Sequence, residues 1–185
     1  MKVYTRAGDD GTTGLFLGGR VSKADPLMAA CGDLDEAVAA LGVARAAVAQ
    51  DATAGDLAPG ILRRQRELFV VAADLATNPA HRDRLLPGVS LVTDDMAGDV
   101  EREIDERVAA RPLRPVFVVP GTTAASAAID QARAVLRRAE RSVVGLADAG
   151  YPVSPEVRRY VNRLSDLLFV LARVAAGENE PPSHD

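Results

Sequence analysis

Apolar residues recur at helical spacing along five stretches of the chain. In each stretch they return every three or four positions, the period that places side chains on one face of an α-helix. Pro79 follows the second stretch and Gly150 the fourth, while Ser154 and Pro155 supply a cap and a first-turn proline for the fifth. The predicted helices cover residues 33–48, 61–76, 93–110, 124–149 and 154–176. Long helices joined by loops predict an all-α protein built as a five-helix bundle.

Composition supports helices and a single domain. Of 185 residues, 48% are hydrophobic and 26% are charged, tryptophan is absent, and aromatic residues make up 4%. Alanine and leucine, which dominate the chain, are strong helix formers, whereas strands prefer β-branched and aromatic residues. We therefore expect one domain over residues 1–176, followed by a polar, proline-bearing tail over residues 177–185 that is disordered.

Charge and the scarcity of metal-binding side chains argue against several kinds of function. The 22 basic and 26 acidic residues give a net charge of −4, which offers no general attraction for nucleic acid. Cys31 is the only cysteine, and His81 and His184 are the only histidines, so neither an intrachain disulfide nor a zinc or copper site is expected. The sequence lacks an apolar stretch of membrane-spanning length and a signal peptide's apolar run, which predicts a cytoplasmic protein without membrane contact.

The segment from Thr5 to Gly14 is rich in glycine, threonine and aspartate, a mixture that regular helices and strands avoid. Its glycines permit positive φ angles and close approach of the backbone to a ligand, and its hydroxyl and N–H groups can donate to phosphate oxygens. A polar turn explains the glycines equally well. The Walker motif does not match, because Arg20 and Val21 follow Gly19 where that motif has lysine and a hydroxyl residue. The glycine spacing also differs from that of the dinucleotide-binding motif.

The predicted fourth helix carries a row of charged side chains. Arg133, Arg137, Glu140 and Arg141 lie at positions i, i+4, i+7 and i+8, so they share one face. Three guanidinium groups on one face favour an anionic ligand. A solvated face with local ion pairs is the alternative interpretation.

The predicted fifth helix mixes polar and aromatic residues on one of its faces. Asn162, Asp166, Phe169 and Arg173 recur there within an otherwise leucine-rich helix. Polar groups on a core-facing stripe need partners, because an unpaired buried group costs roughly 1–3 kcal/mol. The partners are either a ligand or side chains of neighbouring helices.

Six blocks, in order along the chain, resemble the corrinoid adenosyltransferases of the PduO type. The blocks are Tyr4–Gly14, Arg20–Lys23, Asp33–Glu36, Phe117–Gly121, Ala132–Arg141 and Asn162–Asp166. The resemblance implies a ferritin-like five-helix bundle with an ordered N-terminal ATP-binding loop, assembled as a homotrimer with active sites between adjacent subunits. It also implies transfer of the 5′-deoxyadenosyl group of ATP to the cobalt of cob(I)alamin, which an electron donor makes from cob(II)alamin. The products are adenosylcobalamin and triphosphate.

The same resemblance assigns roles to residues of this sequence. ATP is expected to bind Thr5, Arg6, Gly8, Asp9, Gly11, Thr12, Thr13, Gly14, Lys23, Arg137, Arg138, Glu140, Arg141 and Asn162. Magnesium is expected at Glu140, directly or through water. The implied catalytic set is Arg137, Glu140, Asp35, Arg133 and Phe117, with Arg133 paired to Asp35 across the subunit boundary. The implied cobalamin contacts are Phe117, Phe169 and Asp166.

Partners and one alternative follow from the resemblance and its departures. It implies a flavoprotein or other reductase as electron donor and an adenosylcobalamin-dependent mutase as acceptor of the product. Ala7 stands where the family usually has threonine, and Pro120-Gly121-Thr122 replaces a proline followed by paired glycines. These departures leave open a second hypothesis, a non-catalytic carrier or sensor that binds ATP or adenosylcobalamin.

Overall fold

Five α-helices form the body of the protein, as the hydrophobic spacing predicted. The computed structural model describes residues 4–52, 54 and 56–184. The helices are α1 (Pro26–Ala49), α2 (Ala58–Leu75), α3 (Asp94–Ala110), α4 (Ala124–Asp148) and α5 (Pro155–Ala176). A 3₁₀ helix over Pro79–Arg84 and two short strands, β1 (Thr12–Gly14) and β2 (Arg20–Ser22), complete the described secondary structure.

The helices pack side by side around one hydrophobic core. α4 packs between α1 and α5, α2 lies against α1, and α3 lies against α5. Leu34, Leu41, Leu136, Leu164 and Leu168 are fully buried at the centre of this bundle. Within the described chain, no helix combines the length and the apolar character that crossing a bilayer requires. The all-α bundle fold is therefore confirmed.

Helix α1 begins at Pro26, earlier than the predicted start at Asp33. Asp25 is the cap, because its carboxylate accepts a hydrogen bond from the Leu27 N–H at 2.8 Å and Pro26 occupies the first turn. The Tyr151 hydroxyl donates to the same carboxylate at 3.0 Å and ties the start of α1 to the α4–α5 connection. The Asp-Pro cap signal was thus present in the sequence.

The β1–β2 hairpin was not predicted. Its two strands pair antiparallel, with Thr12 opposite Ser22 and Gly14 opposite Arg20. Phe16, in the connecting turn, donates its N–H to the Ala76 carbonyl at 2.9 Å, which fastens the hairpin to the end of α2. Strands of three residues are too short to show the alternation by which a sequence reveals a strand.

Residues 180–183 of the tail that composition predicted to be disordered lie against another part of the chain, and residue 185 is outside the described residues. Pro182 forms an antiparallel bridge with Val118, in the connection between α3 and α4. Glu180 is only 6% exposed. The prediction of disorder was based on polar composition. The segment that pairs with these residues lies about 60 residues earlier in the sequence, so no local pattern indicates the contact.

Candidate active site

The N-terminal loop, residues 4–14, folds back on itself through tight turns. The Asp9 N–H donates to the Arg6 carbonyl at 3.3 Å and the Gly11 N–H donates to the Gly8 carbonyl at 3.2 Å. Arg6 and Gly11 have φ angles of 62° and 82° in the left-handed region. Glycine adopts that conformation without strain at position 11, whereas Arg6 is held there against its preference.

Lys23 closes the loop from the hairpin side. Its N–H donates to the Gly11 carbonyl at 2.9 Å, and its Nζ donates to the Gly8 carbonyl at 2.8 Å. A Cβ added at Gly8 would lie 3.1 Å from Lys23 Nζ and 3.2 Å from the Thr12 carbonyl. Glycine at position 8 therefore permits the ammonium group to rest on the loop backbone.

Arg20 organises the same loop, and sequence reasoning gave it no role. Its Nη2 donates to the Ala7 carbonyl at 2.5 Å, and its Nε donates to the Thr12 hydroxyl at 2.9 Å. The Thr12 hydroxyl in turn donates to Asp10 at 2.8 Å. Hydrogen bonds from the backbone N–H and the hydroxyl of Thr12, with the nearby Arg20 charge, lower the pKa of the Asp10 carboxyl. Arg20 lies on β2 diagonally across from Thr12, a relation that appears only once the hairpin register is known.

The other predicted loop residues differ in their hydrogen bonds and in their exposure to solvent. The Thr5 hydroxyl accepts a hydrogen bond from the Ala7 N–H at 3.3 Å. Asp9 and Gly14 are exposed, and Thr13 is half-buried on β1. The Arg6 guanidinium lies 5.7 Å from the centre of the Tyr4 ring. The loop thus presents exposed N–H, hydroxyl and cationic groups around one turn.

Arg133, Arg137 and Arg141, here called the arginine row, lie on one face of α4, as their spacing predicted. Arg137 and Arg141 are exposed, and Arg141 donates to the Arg137 carbonyl at 3.1 Å. Neither guanidinium has a carboxylate partner among the residues that the structure describes. Glu140, between them in sequence, accepts a hydrogen bond at 2.8 Å from Asn162 Nδ2 on α5. The structure therefore brings Glu140 and Asn162 together, next to two cations without counter-charges.

Arg138 does not join that row. Its guanidinium pairs with Glu36 and, at 3.2 Å, with Asp33 on α1. The Glu36 carboxylate, and then Asp33, raise the pKa of Arg138. Arg138 therefore links α4 to α1, which differs from its predicted contact with ATP.

A groove of about 570 Å³ runs along α3 and α5 and reaches the arginine row. Phe169 lies in its wall, with the Arg133 and Arg173 guanidinium carbons 5.8 Å and 5.1 Å from the ring centre. The residues lining the groove are Glu101, Ile104, Asp105, Val108, Leu113, Arg133, Arg137, Arg163, Ser165, Asp166, Phe169 and Val170. Four predicted site residues on α4 and α5 thus share one cavity, namely Arg133, Arg137, Asp166 and Phe169.

Asp166 is exposed and lies beside a cation that sequence reasoning did not select. Arg163 Nη1 is 3.4 Å from the Asp166 carboxylate and donates at 3.0 Å to Asn162 Oδ1. Arg163 Nε also donates to Glu101 on α3 at 2.8 Å. Arg163 was within the Asn162–Asp166 block of the sequence, but its position between α3 and α5 follows from packing alone.

Phe117 lies away from the helices, on the connection between α3 and α4. Its side chain is 85% exposed, and with Pro115, Val116 and Phe169 it borders a recess of about 250 Å³. Asp35 is likewise exposed on α1 and has no ion-pair partner within residues 4–52, 54 and 56–184. Arg133 instead lies 3.7 Å from Asp130 on its own helix.

No hydrogen bond or ion pair joins the N-terminal loop to the arginine row in the described part of a single chain. The hairpin that follows the loop lies at the end of the bundle where Asp25 and Tyr151 meet, because its residues Leu15 and Val21 line a recess with them, while the row lies along α4. Within the described part of one chain, the two predicted halves of an anion site are therefore not joined by a hydrogen bond or an ion pair.

Comparison with known proteins now identifies the family. The model of the cobalamin adenosyltransferase family matches residues 3–175. The chain belongs to this family. It is 42% identical over 182 residues to the corrinoid adenosyltransferase of Mycobacterium tuberculosis, covering 94% of this chain and 88% of that one. It is also 40% identical over 174 residues to the corrinoid adenosyltransferase PduO of Salmonella typhimurium, covering 94% of this chain and 49% of that protein.

Solved structures of the family share the fold. A phenylalanine-to-alanine variant of the PduO-type ATP:corrinoid adenosyltransferase from Lactobacillus reuteri, complexed with cobalamin and ATP, superposes with a TM-score of 0.87. That comparison has 28% identity and covers 100% of both chains. An arginine-to-lysine variant from the same organism, complexed with ATP, gives a TM-score of 0.83 at 31% identity and covers 98% of each chain.

Proposed function

We propose that this protein transfers the 5′-deoxyadenosyl group of ATP to the cobalt of a reduced corrinoid, giving adenosylcobalamin and triphosphate. Membership of the cobalamin adenosyltransferase family supports the reaction, and solved relatives are complexed with cobalamin and ATP. The structural observation that carries the proposal is the exposed pair Arg137 and Arg141, which lack carboxylate partners in the described chain and flank the Glu140–Asn162 hydrogen bond. Such a pair suits a polyphosphate, since arginine binds phosphate bidentately and keeps its charge.

The reaction needs no nucleophile from the protein. Cobalt in the reduced corrinoid supplies the electron pair that forms the cobalt–carbon bond, and the bond between the ribose C5′ and the triphosphate oxygen breaks. Negative charge then grows on the departing triphosphate. The tasks of the chain are to hold the two substrates in line and to stabilise that charge, which Arg137, Arg141 and Lys23 are suited to do.

We assign completion of the site to a second subunit of a homotrimer. No hydrogen bond or ion pair joins the N-terminal loop to the arginine row within one described chain, and an adjacent copy would bring the two together. The exposed Asp35 carboxylate is available to Arg133 of an adjacent subunit in the same arrangement. Both observations favour active sites between subunits over a site closed within each chain.

Phe117 is assigned to the corrinoid side of the site. An apolar ring below cobalt withholds a lower axial donor ligand, which makes cob(II)alamin easier to reduce. The ring is 85% exposed on a connecting segment and borders a recess with Phe169, so it is free to meet a flat apolar ligand. A flavoprotein or other reductase would supply the electron, and an adenosylcobalamin-dependent mutase would accept the product.

Magnesium fits this site only together with ATP. In the described chain no three His, Cys, Asp or Glu side chains cluster to hold a metal ion, but Mg²⁺ commonly takes one carboxylate plus substrate phosphates. Glu140 is half-buried, and the hydrogen bond that it accepts from Asn162 occupies one oxygen, Oε1. Bound magnesium neutralises charge on the triphosphate, and Glu140, oriented by Asn162, is the residue that would hold it.

The test is an anaerobic assay with ATP, magnesium and reduced cobalamin, followed by the absorbance of the cobalt–carbon bond. We expect Arg137→Ala to lower turnover by about 10²–10³-fold, the usual loss when one group that stabilises transition-state charge is removed. Arg158→Ala on α5, an exposed arginine away from the groove, is the matched control and should retain activity. Near-normal turnover of Arg137→Ala would contradict its role. If the unaltered protein bound ATP but formed no cobalt–carbon bond, the second hypothesis, a non-catalytic carrier or sensor, would be favoured.

A further inference from the structure

The connection between α3 and α4 carries Phe117, and residues 112–122 of it are here called the Phe117 segment. Helix α5 holds both flanks of this segment. Before it, Arg111 Nη1 donates to the Arg173 carbonyl at 3.3 Å, and after it, the Thr123 hydroxyl donates to the Ala175 carbonyl at 3.2 Å. Between these two points the segment contains neither helix nor paired strand of its own.

Residues 180–183, here called the C-terminal clasp, supply the backbone partners of the Phe117 segment. Two hydrogen bonds form the antiparallel bridge of Val118 with Pro182: the Val119 N–H donates to the Pro181 carbonyl at 2.9 Å, and the Ser183 N–H donates to the Phe117 carbonyl at 2.8 Å. Among the residues that the structure describes, no other backbone–backbone hydrogen bond involves residues 112–122. The carbonyl of Phe117 itself is therefore held by the clasp.

A buried contact joins the clasp to the bundle. Glu180 is 6% exposed, and its Oε1 lies 2.8 Å from Nε of Arg173, which also pairs with the buried Asp130. From the opposite side, Arg114 Nη1 donates to the Glu180 carbonyl at 2.8 Å. Arg173 also lies over the Phe169 ring, so the groove wall and the clasp share one guanidinium group.

We propose that the C-terminal clasp is a positioning element of the active site, which holds the Phe117 segment so that the Phe117 ring faces the corrinoid. An 85% exposed ring has little packing of its own to fix it, so its backbone partners decide where it lies. Without the clasp, the hydrogen bonds left to the described part of this segment are those of Arg111 and Thr123 at its flanks. The catalytic consequence rests on the role of Phe117 under the proposed function.

Two chain lengths test the positioning directly. A chain that ends at Gly177 lacks the clasp, and a chain that ends at Ser183 keeps it and serves as the matched control. Hydrogen exchange of peptides that cover the Phe117 segment should be about tenfold faster or more in the shorter chain, because the Val119 N–H loses its acceptor. Arg114→Ala, which keeps the full chain, should accelerate the same peptides in the same direction.

A fluorescent probe gives a second readout. The chain has three tyrosines but no tryptophan, so Phe117→Trp introduces a single tryptophan that can be excited selectively at the position of interest. In that background, removal of the clasp should lower the anisotropy of the tryptophan relative to the chain that ends at Ser183. Unchanged exchange and unchanged anisotropy in the chain that ends at Gly177 would overturn the proposal.

Activity links the clasp to Phe117. The chain that ends at Gly177 should lose about tenfold or more in the reaction that starts from cob(II)alamin and a reductant, and lose much less with chemically prepared cob(I)alamin. Equal activity of both chain lengths on both substrates would also overturn the proposal. Failure of the proposed function differs from failure of this proposal. In that case the control chain, which ends at Ser183, would form no cobalt–carbon bond, whatever the hydrogen-exchange data show.

Discussion

The two ends of this chain are similar in composition but are organised in different ways. The N-terminal loop and the C-terminal residues are both short, polar and interrupted by residues that break helices. The N-terminal loop is built largely from its own hydrogen bonds and those of the adjacent hairpin, through Lys23 and Arg20. The C-terminal clasp has its partners about 60 residues away in sequence, at Val118 and Val119.

This difference explains why one end resembles a ligand site and the other a support. Local hydrogen bonds shape the N-terminal loop while its hydroxyl and cationic groups stay near solvent, where an anion can reach them. In the clasp, Glu180 is buried beside Arg173, and the backbone groups are used to hold another segment. We therefore expect substitutions in the N-terminal loop to alter the affinity for ATP, and changes in the C-terminal clasp to alter the position of the Phe117 segment.

The largest effect at the N-terminal end is expected from Lys23→Ala. The substitution removes a cation from the loop and the bond from Nζ to the Gly8 carbonyl, so the KM for ATP should rise about 10- to 100-fold, as for a lost charged hydrogen bond. Arg66→Ala on the exposed face of α2 is the control and should leave the KM unchanged. If Lys23→Ala accelerated hydrogen exchange in residues 112–122, the two ends would not be independent.

A smaller effect is expected from Arg20→Gln. Arg20 acts by holding the Ala7 carbonyl and the Thr12 hydroxyl, so its loss should raise the KM for ATP about three- to tenfold with a smaller change in kcat. Arg20→Lys restores the charge but lacks the guanidinium fork that spans both acceptors, so it should recover only part of the affinity. Full recovery by lysine would show that charge, and not positioning, is the contribution of this residue.

The smallest effect concerns pH at the C-terminal end. Burial raises the pKa of the Glu180 carboxyl above 4.5, with a further contribution from Asp130, and these outweigh the opposing charges of Arg173, Arg111 and Arg114. The pKa of Glu180 is higher when the clasp is docked on the bundle than when it is detached, so docking is accompanied by proton uptake. Docking of the clasp therefore becomes stronger as the pH falls through the raised pKa of Glu180 towards 4.5.

Hydrogen exchange measures this linkage. After correction for the intrinsic exchange rate, the amides of residues 112–122 should be modestly better protected at pH 5 than at pH 7. Glu180→Gln removes the titrating group and should abolish the difference, whereas Glu178→Gln, at an exposed position, should keep it. Protection that weakens on acidification in the unaltered chain would show that the ionised pair with Arg173 dominates docking.

The helices could be predicted because their signal is local. The apolar spacing around Leu34 and Leu41 and the cap at Ser154 lie within the elements that they define. The start of α1 was placed too late because the stretch before Asp33 is alanine-rich with little periodic contrast, although Asp25 and Pro26 form a valid cap.

The candidate site was predicted in part for the same reason. Arg137, Glu140 and Arg141 share a face by spacing alone, and the structure keeps them there. Spacing could not show that Arg138 would turn to Asp33 and Glu36, because that depends on which helix packs beside α4. It could not select Arg20 either, since its acceptors are defined only by the hairpin register.

The sequence by itself determined the five helices, the row of cations on α4 and the family, because these depend on periodicity and on residues at fixed spacing. The tertiary structure alone decided which cations have no counter-charge among the described residues, and that the C-terminal clasp holds the Phe117 segment. The physical reason is that a side chain's charge partner and a backbone's hydrogen-bond partner are chosen by proximity in space. In this chain those partners come from segments about 60 to 105 residues apart.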